Sequence, residues 1–336
     1  MKKILLFFVA IILISSCLFS QQVQKKLLDD FFAKDSVVIL VTDSGLGGMS
    51  VAANLYEKLK DAGIFKRVDI RFFNAQPHLT YGYNSMKSVE EKIWVFDNAL
   101  EAMKSKFKPD MILIACNTLS VIYEYAKFAE DPGIPVIGVV EAGVNLIESK
   151  MSTDKNSKVV IFATQTTIAE GKHKLGLIER GIDESRIGTV ACPRLAGSIE
   201  RGFDSAETDS LLNLYVPKGI AQLNGQKENV YVSYNCTHYG YITDLFAKKF
   251  QDHGINVFGY LDPNYDMTNF IFESGKGNRF NGTELSIEIT SQPELTPDKI
   301  YSIYSLLEKT SPTSAGALLY YNYMPDFFEW HYKNNN

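Results

Sequence analysis

Three pairs of short segments in this chain return at nearly one offset. "VVILVTDS" from Val37 recurs as "VVIFATQT" from Val159, 122 residues on; "CNT" at Cys116 recurs as "CTH" at Cys236, 120 on; and "GIPVIGVVE" from Gly133 recurs as "GINVFGYLD" from Gly254, 121 on. Apolar strands resemble one another by chance, so any single match means little. The shared order and spacing point instead to a duplicated half. The apolar runs at 37–42, 111–116, 134–140, 159–164, 230–235 and 255–261 are short and rich in Val and Ile, and helical periodicity separates several of them, as at 88–106 and 207–223. Alternation of this kind gives parallel sheets covered by helices on both faces. The expected fold is therefore α/β: two similar parallel-sheet, flavodoxin-like domains related by pseudo-two-fold symmetry, with the active site in the cleft between them.

The expected spans follow from the runs. Residues 37–143 plus 258–312 form the first domain and 144–257 the second, with an aromatic extension over 313–336 that covers a surface or a subunit interface. Upstream, Lys2 and Lys3 precede the apolar run Ile4 to Ile14, which is too short to cross a bilayer but suits a secretory signal. "ISSC" then resembles a bacterial lipobox, making Cys17 the lipid-modified residue, residues 1–20 the signal peptide and 21–36 a polar tether or short amphipathic helix. An ordinary signal peptide cleaved near Ser20 or Gln21, or an uncleaved anchor, is the alternative. On the first reading the protein is an exported lipoprotein, held at a membrane of the bacterial cell envelope.

Open α/β sheets bind ligands beyond the carboxyl ends of their strands. Cys116 and Cys236 both sit at such ends, so in a two-fold arrangement two thiols face one cleft. Two proton-transfer groups on opposite faces of a carbon acid can remove a proton from one side and return it on the other, which inverts the centre. Each thiol then alternates between thiolate and thiol, so its pKa is expected to come down from about 8.5 towards the working pH. Asp43 and His238 are the nearest groups to do this, and Ser44, Asn117, Thr118 and Thr237 are placed to hold an amino acid's ammonium and carboxylate.

The bland alternatives are specific. Free cysteine is often simply buried, and Cys192, in "ACPRL" without polar neighbours, is expected to be core. "DSGLGG" lacks the Lys-Ser/Thr of a phosphate loop. A net charge of -5 and the absence of a basic stripe exclude a nucleic-acid partner. The five histidines and four cysteines show no metal-ligand spacing. Glu141 and Asp262, at matched positions after their strands, are helix caps or hinge contacts as readily as site residues.

Six segments carry a family resemblance: "TDSGLGGMSV", "TYGYNS", "ACNTLSV", "ATQTTI", "ACPRLAGSIERG" and "NCTHYGYI" occur in the order of the aspartate/glutamate racemase family, over residues 37 to about 310. The chain most closely resembles the glutamate racemases of that family. The resemblance implies a cofactor-independent enzyme interconverting L- and D-glutamate, with Cys116 and Cys236 as the bases. Asp43 and His238 assist, and Ser44, Tyr81, Gly82, Asn117, Thr118, Thr166 and Thr237 contact the substrate. It further implies that Cys236 takes the proton from the L-enantiomer and Cys116 from the D-enantiomer. A homodimer is a further expectation.

Thr80, Leu119, Asn235 and Gly240 depart from the family pattern and put the substrate in question, leaving aspartate as the next candidate. Export departs more, because family members supply D-glutamate for peptidoglycan precursors inside the cell. An exported amino-acid-binding protein without turnover, or another diacid chemistry of the wider superfamily, therefore stays open.

Overall fold

The computed structural model describes residues 22–333; Cys17 and the signal segment lie outside them. The chain forms strands β1 (Ser36–Asp43), β2 (Arg67–Asn74), β3 (Met111–Ile114), β4 (Val136–Gly138), β5 (Lys158–Ala163), β6 (Ile187–Ala191), β7 (Val230–Asn235), β8 (Val257–Leu261), β9 (Glu284–Ser291) and β10 (Asn322–Tyr323). They assemble into two wholly parallel sheets, ordered β10-β9-β2-β1-β3-β4 and β6-β5-β7-β8. The run β2-β1-β3-β4 has the same order as β6-β5-β7-β8, so the offset seen in the sequence is a repeat of topology.

Every residue of β3 and β7 is buried, which explains why these strands read as continuous apolar runs. Such strands are covered on both faces. One face of the first sheet packs around Val41, Val68 and Phe72, the other around Leu40, Phe96 and Ile114; the second sheet has its own two cores, around Phe162 and Phe246 and around Ile161 and Leu177.

The expected spans need three corrections. β8 pairs with β7, from Val230↔Val257 to Ser233↔Leu261, so residues 257–261 belong to the second sheet and the return to the first lobe comes later than 258. Of the two readings of 21–36, the structure gives the helix, over 22–32, and not the tether: Phe31 is buried and meets Phe65 edge-on at 5.2 Å. Residue 313 is no boundary, because the helix Pro312–Leu319 buries Ala315 and Leu318 in the first core. The aromatic tail then closes over the same lobe. Phe327 lies 4.5 Å from Phe73, Phe328 is buried beside it, and Trp330 stacks on His78 at 5.5 Å.

Candidate active site

Parallel strands that end together deliver their next residues to one place. Asp43 closes β1, Cys116 follows β3 by two residues and begins the helix Asn117–Ile122, Thr164 follows β5, and Cys236 follows β7. Asp43, Ser44, Cys116, Asn117, Thr118, Thr164, Cys236, Thr237 and His238 line one cavity of about 20 Å³ between the lobes. The two sequence-matched thiols therefore face one space.

Cys116 is buried, and its Sγ lies 3.1 Å from the Ser44 hydroxyl. Burial, and then the charge of Asp43, push its thiol up to about 12. The lowering expected from sequence does not occur here, because burial, and then the neighbouring anion, disfavour a thiolate. Asp43 is itself buried; desolvation raises it to about 6, against the opposing pull of His238 and of the Thr237 hydrogen bond at 2.9 Å.

Cys236 has the opposite company. Its Sγ lies 3.8 Å from His238 Nδ1, while His238 Nε2 meets Glu200 Oε1 at 2.8 Å. Burial alone would lower the imidazole, but hydrogen bonds to Cys236 and Glu200 and the Glu200 charge carry it up to about 10. Glu200 is buried too, a placement that would favour its neutral form; Lys299 at 2.8 Å and His238 outweigh this and hold it well below the usual carboxylate range. The backbone N–H of Leu46 donates to the same carboxylate at 2.7 Å.

The glycines of "DSGLGG" serve this contact between lobes rather than a phosphate. A Cβ on Gly47 would stand 2.3 Å from Thr237 Oγ1 and 2.5 Å from His238 Nδ1, and one on Gly45 would stand 2.3 Å from Glu200 Oε1. No side chain fits between these groups.

Asn117 is the unsatisfied member of the site. It is 1% exposed, and neither its amide nitrogen nor its amide oxygen has a hydrogen-bond partner. A buried, unpaired amide is costly unless a ligand completes it. Thr118 and Thr164 share a hydrogen bond of 2.7 Å across the cleft.

Three expected contacts sit elsewhere. Thr166 accepts from Lys92 Nζ at 2.7 Å and does not line the cavity; Thr164, which also caps its helix by accepting from Thr167 N, takes that place. Tyr81 donates to Glu91 at 2.7 Å and leans on Trp330, while Gly82 lines an adjoining vestibule of about 430 Å³ with Ser44, Glu200, His238 and Lys299.

Cys192 is core, as expected. Glu141 is an exposed partner of Arg180. Asp262, pushed up to about 7 by burial, caps the turn Pro263–Tyr265 by accepting from Asn264 N. Among the described residues no cluster of three metal-ligating side chains occurs, and no helix is long and apolar enough to cross a membrane.

Known proteins resemble this chain. The family model for Asp/Glu/hydantoin racemases covers residues 76–216, which hold Cys116, Asn117, Thr118 and Glu200, while Asp43, Cys236 and His238 lie outside the match. A glutamate racemase of Lysinibacillus sphaericus is 29% identical over 199 residues, 59% of this chain and 68% of that one. The Campylobacter jejuni glutamate racemase is 29% identical over 215 residues, 63% of this chain and 77% of its own. The chain is similar to the glutamate racemases. The fold agrees: the crystal structure of the Francisella tularensis glutamate racemase in complex with D-glutamate superposes with a TM-score of 0.62 at 22% identity, over 82% of this chain and 94% of that one.

Glu200 is the site residue that sequence reasoning missed in this racemase relative. It lies inside the quoted segment "ACPRLAGSIERG", where a helical glutamate before an arginine reads as solvent-facing.

Proposed function

We propose that this chain is a glutamate racemase that moves the Cα proton between Cys236 and Cys116. As a relative of amino-acid racemases it is an isomerase. The observation that carries the two-base reading is that both thiols line one cavity beside the unpaired amide of Asn117. Asp43, with its pKa at about 6, is a carboxylate at neutral pH and a counter-charge for the substrate ammonium. Asn117 and Thr118 offer donors to the α-carboxylate, whose charge grows as the proton leaves, while Thr237 gives its hydroxyl proton to Asp43. One such donor is worth roughly 2.7–4 kcal/mol when the developing charge is out of water.

The two thiols have different neighbours. Cys236 faces a charged imidazole and is the base for the L-enantiomer; Cys116, whose thiol is pushed up to about 12, gives its proton to the opposite face. The reverse reaction exchanges these roles.

The 20 Å³ space admits about one water, so an amino acid enters only when the lobes part, and the vestibule beside it is the approach. The test is incubation of the purified protein with L- and D-glutamate in deuterated water. Inversion with one deuterium incorporated at Cα is expected from either enantiomer. Tight glutamate binding without exchange would leave a binding protein, and faster turnover of aspartate would transfer the substrate.

The lipid-anchored location remains part of the proposal. Incorporation of labelled palmitate that Cys17→Ala abolishes is the expected outcome.

A further inference from the structure

Lys299 is a half-buried cation with an unusual position. Its side chain, 12% exposed, comes from the helix Pro297–Leu307 in the first lobe, and its Nζ meets Glu200 Oε2 at 2.8 Å and Gln76 Oε1 at 3.3 Å. Glu200 thus has two clients: Oε1 faces His238 and the Leu46 amide, Oε2 faces Lys299. A buried carboxylate with only an imidazole partner holds that imidazole's proton tightly, because losing it leaves an uncompensated charge. A permanent cation on the second oxygen removes that constraint.

We propose that Lys299 is a positioning residue that keeps Glu200 anionic in both protonation states of His238, so that the His238 proton can travel to and from Cys236. This rests on the two-cysteine reading above. In the step concerned, His238 Nδ1–H passes its proton to the Cys236 thiolate, Sγ becomes a thiol and the ring becomes neutral. Nε2–H stays on Glu200 Oε1, which fixes the tautomer. The other charged or titratable groups facing this ring and thiol are Asp43 from β1, and Cys192 and Tyr239 beside Cys236. None of them contacts Oε2 of Glu200.

The sign of the effect follows from charge alone. Removing a cation near a proton-binding pair makes the pair hold its proton more strongly, by roughly 1 unit or more at this range. The experiment is ring-nitrogen NMR of histidine-labelled full-length protein across pH, for the wild type, Lys299→Met and Lys299→Arg. The midpoint of His238 is expected to move upward by about a unit in Lys299→Met and to return in Lys299→Arg, with kcat reduced about tenfold in the first and restored in the second.

An unchanged or lowered midpoint in Lys299→Met overturns the proposal. If that variant does not fold, Lys299→Gln, which keeps a hydrogen bond without the charge, is read in the same way. Failure of both neutral variants to fold makes the lysine a folding anchor and also overturns it. The titration does not depend on turnover, so a wild-type protein that binds glutamate without racemising it defeats the proposed function while leaving this result readable.

Discussion

The two thiols occupy equivalent positions in a repeated topology, yet their surroundings are opposite in charge. Cys116 has a hydroxyl at 3.1 Å and the Asp43 carboxylate behind it; Cys236 has a cationic imidazole at 3.8 Å, backed by Glu200 and Lys299. Duplication supplies two cysteines, and on the two-base reading proposed above a single turnover needs one thiol and one thiolate. The unlike neighbours make the two positions chemically distinct before a substrate arrives. Glu200 and Lys299 make the difference, and the Cys116 side has no counterpart of them.

The largest expected effect breaks the pair. Cys116→Ala and Cys236→Ala should each lower racemisation by at least about 10³-fold, while each keeps proton abstraction on one face. With 3-chloroglutamate, elimination should survive for one enantiomer in one variant and for the other enantiomer in the other. Equal elimination from both would deny that the thiols flank the substrate.

Next is Glu200→Gln, which removes the anion from the Cys236 side only. A fall in kcat of about 10²-fold is expected, with the His238 ring losing its proton at lower pH by NMR. A variant with normal turnover would make the charge asymmetry incidental.

The third expectation concerns pH. His238 has a folded pKa raised to about 10, above the ordinary histidine range, so its stabilising contribution is complete below about 6.5 and is lost as pH rises through 10. Thermal melts should therefore decline on the alkaline side, and His238→Asn should flatten that decline. Asp43, raised to about 6, works in the other sense for catalysis: kcat/KM should fall below pH 6 as its carboxylate takes a proton. The smallest effect belongs to Ser44→Ala. Losing one hydrogen bond to Cys116 should cost about tenfold in kcat, visible as a larger primary isotope effect from D-glutamate than from L-glutamate.

The fold was largely legible because "VVILVT" and "VVIFAT" are buried on both faces, so burial leaves its mark directly on residue choice. Asp43, Cys116, Asn117, Thr118, Cys236, Thr237 and His238 were legible for a related reason: each sits at a strand end whose position the repeat predicts. Glu200 was not, since it lies on a helix, and contacts with Leu46, His238 and Lys299, 154, 38 and 99 residues away, distinguish it from a surface acid. Thr166 came only from the family resemblance; in the structure Thr164, two residues earlier, lines the cavity instead.

The suspicion that Asn235 and Gly240 alter the substrate finds a packing explanation. Asn235 is fully buried, accepts from Ser233 and faces Gly143 and His173 behind the strand, and a Cβ on Gly240 would stand 1.9 Å from an Asp262 oxygen. The aromatic tail had no repeat to place it, so only its burial against Phe73 revealed a role.

The threonine bridges across the cleft also bear on speed. Thr118 to Thr164, Thr237 to Asp43 and Lys92 to Thr166 must all be released when the lobes separate, and each is worth on the order of 0.5–1.5 kcal/mol net. Together they act as a clasp. On the proposed racemase reading, open molecules are then a small minority at any instant, every substrate exchange waits for one, and the turnover number is expected to be limited by unclasping rather than by proton transfer. Added viscogen should slow such a protein even when both thiols are perfectly poised.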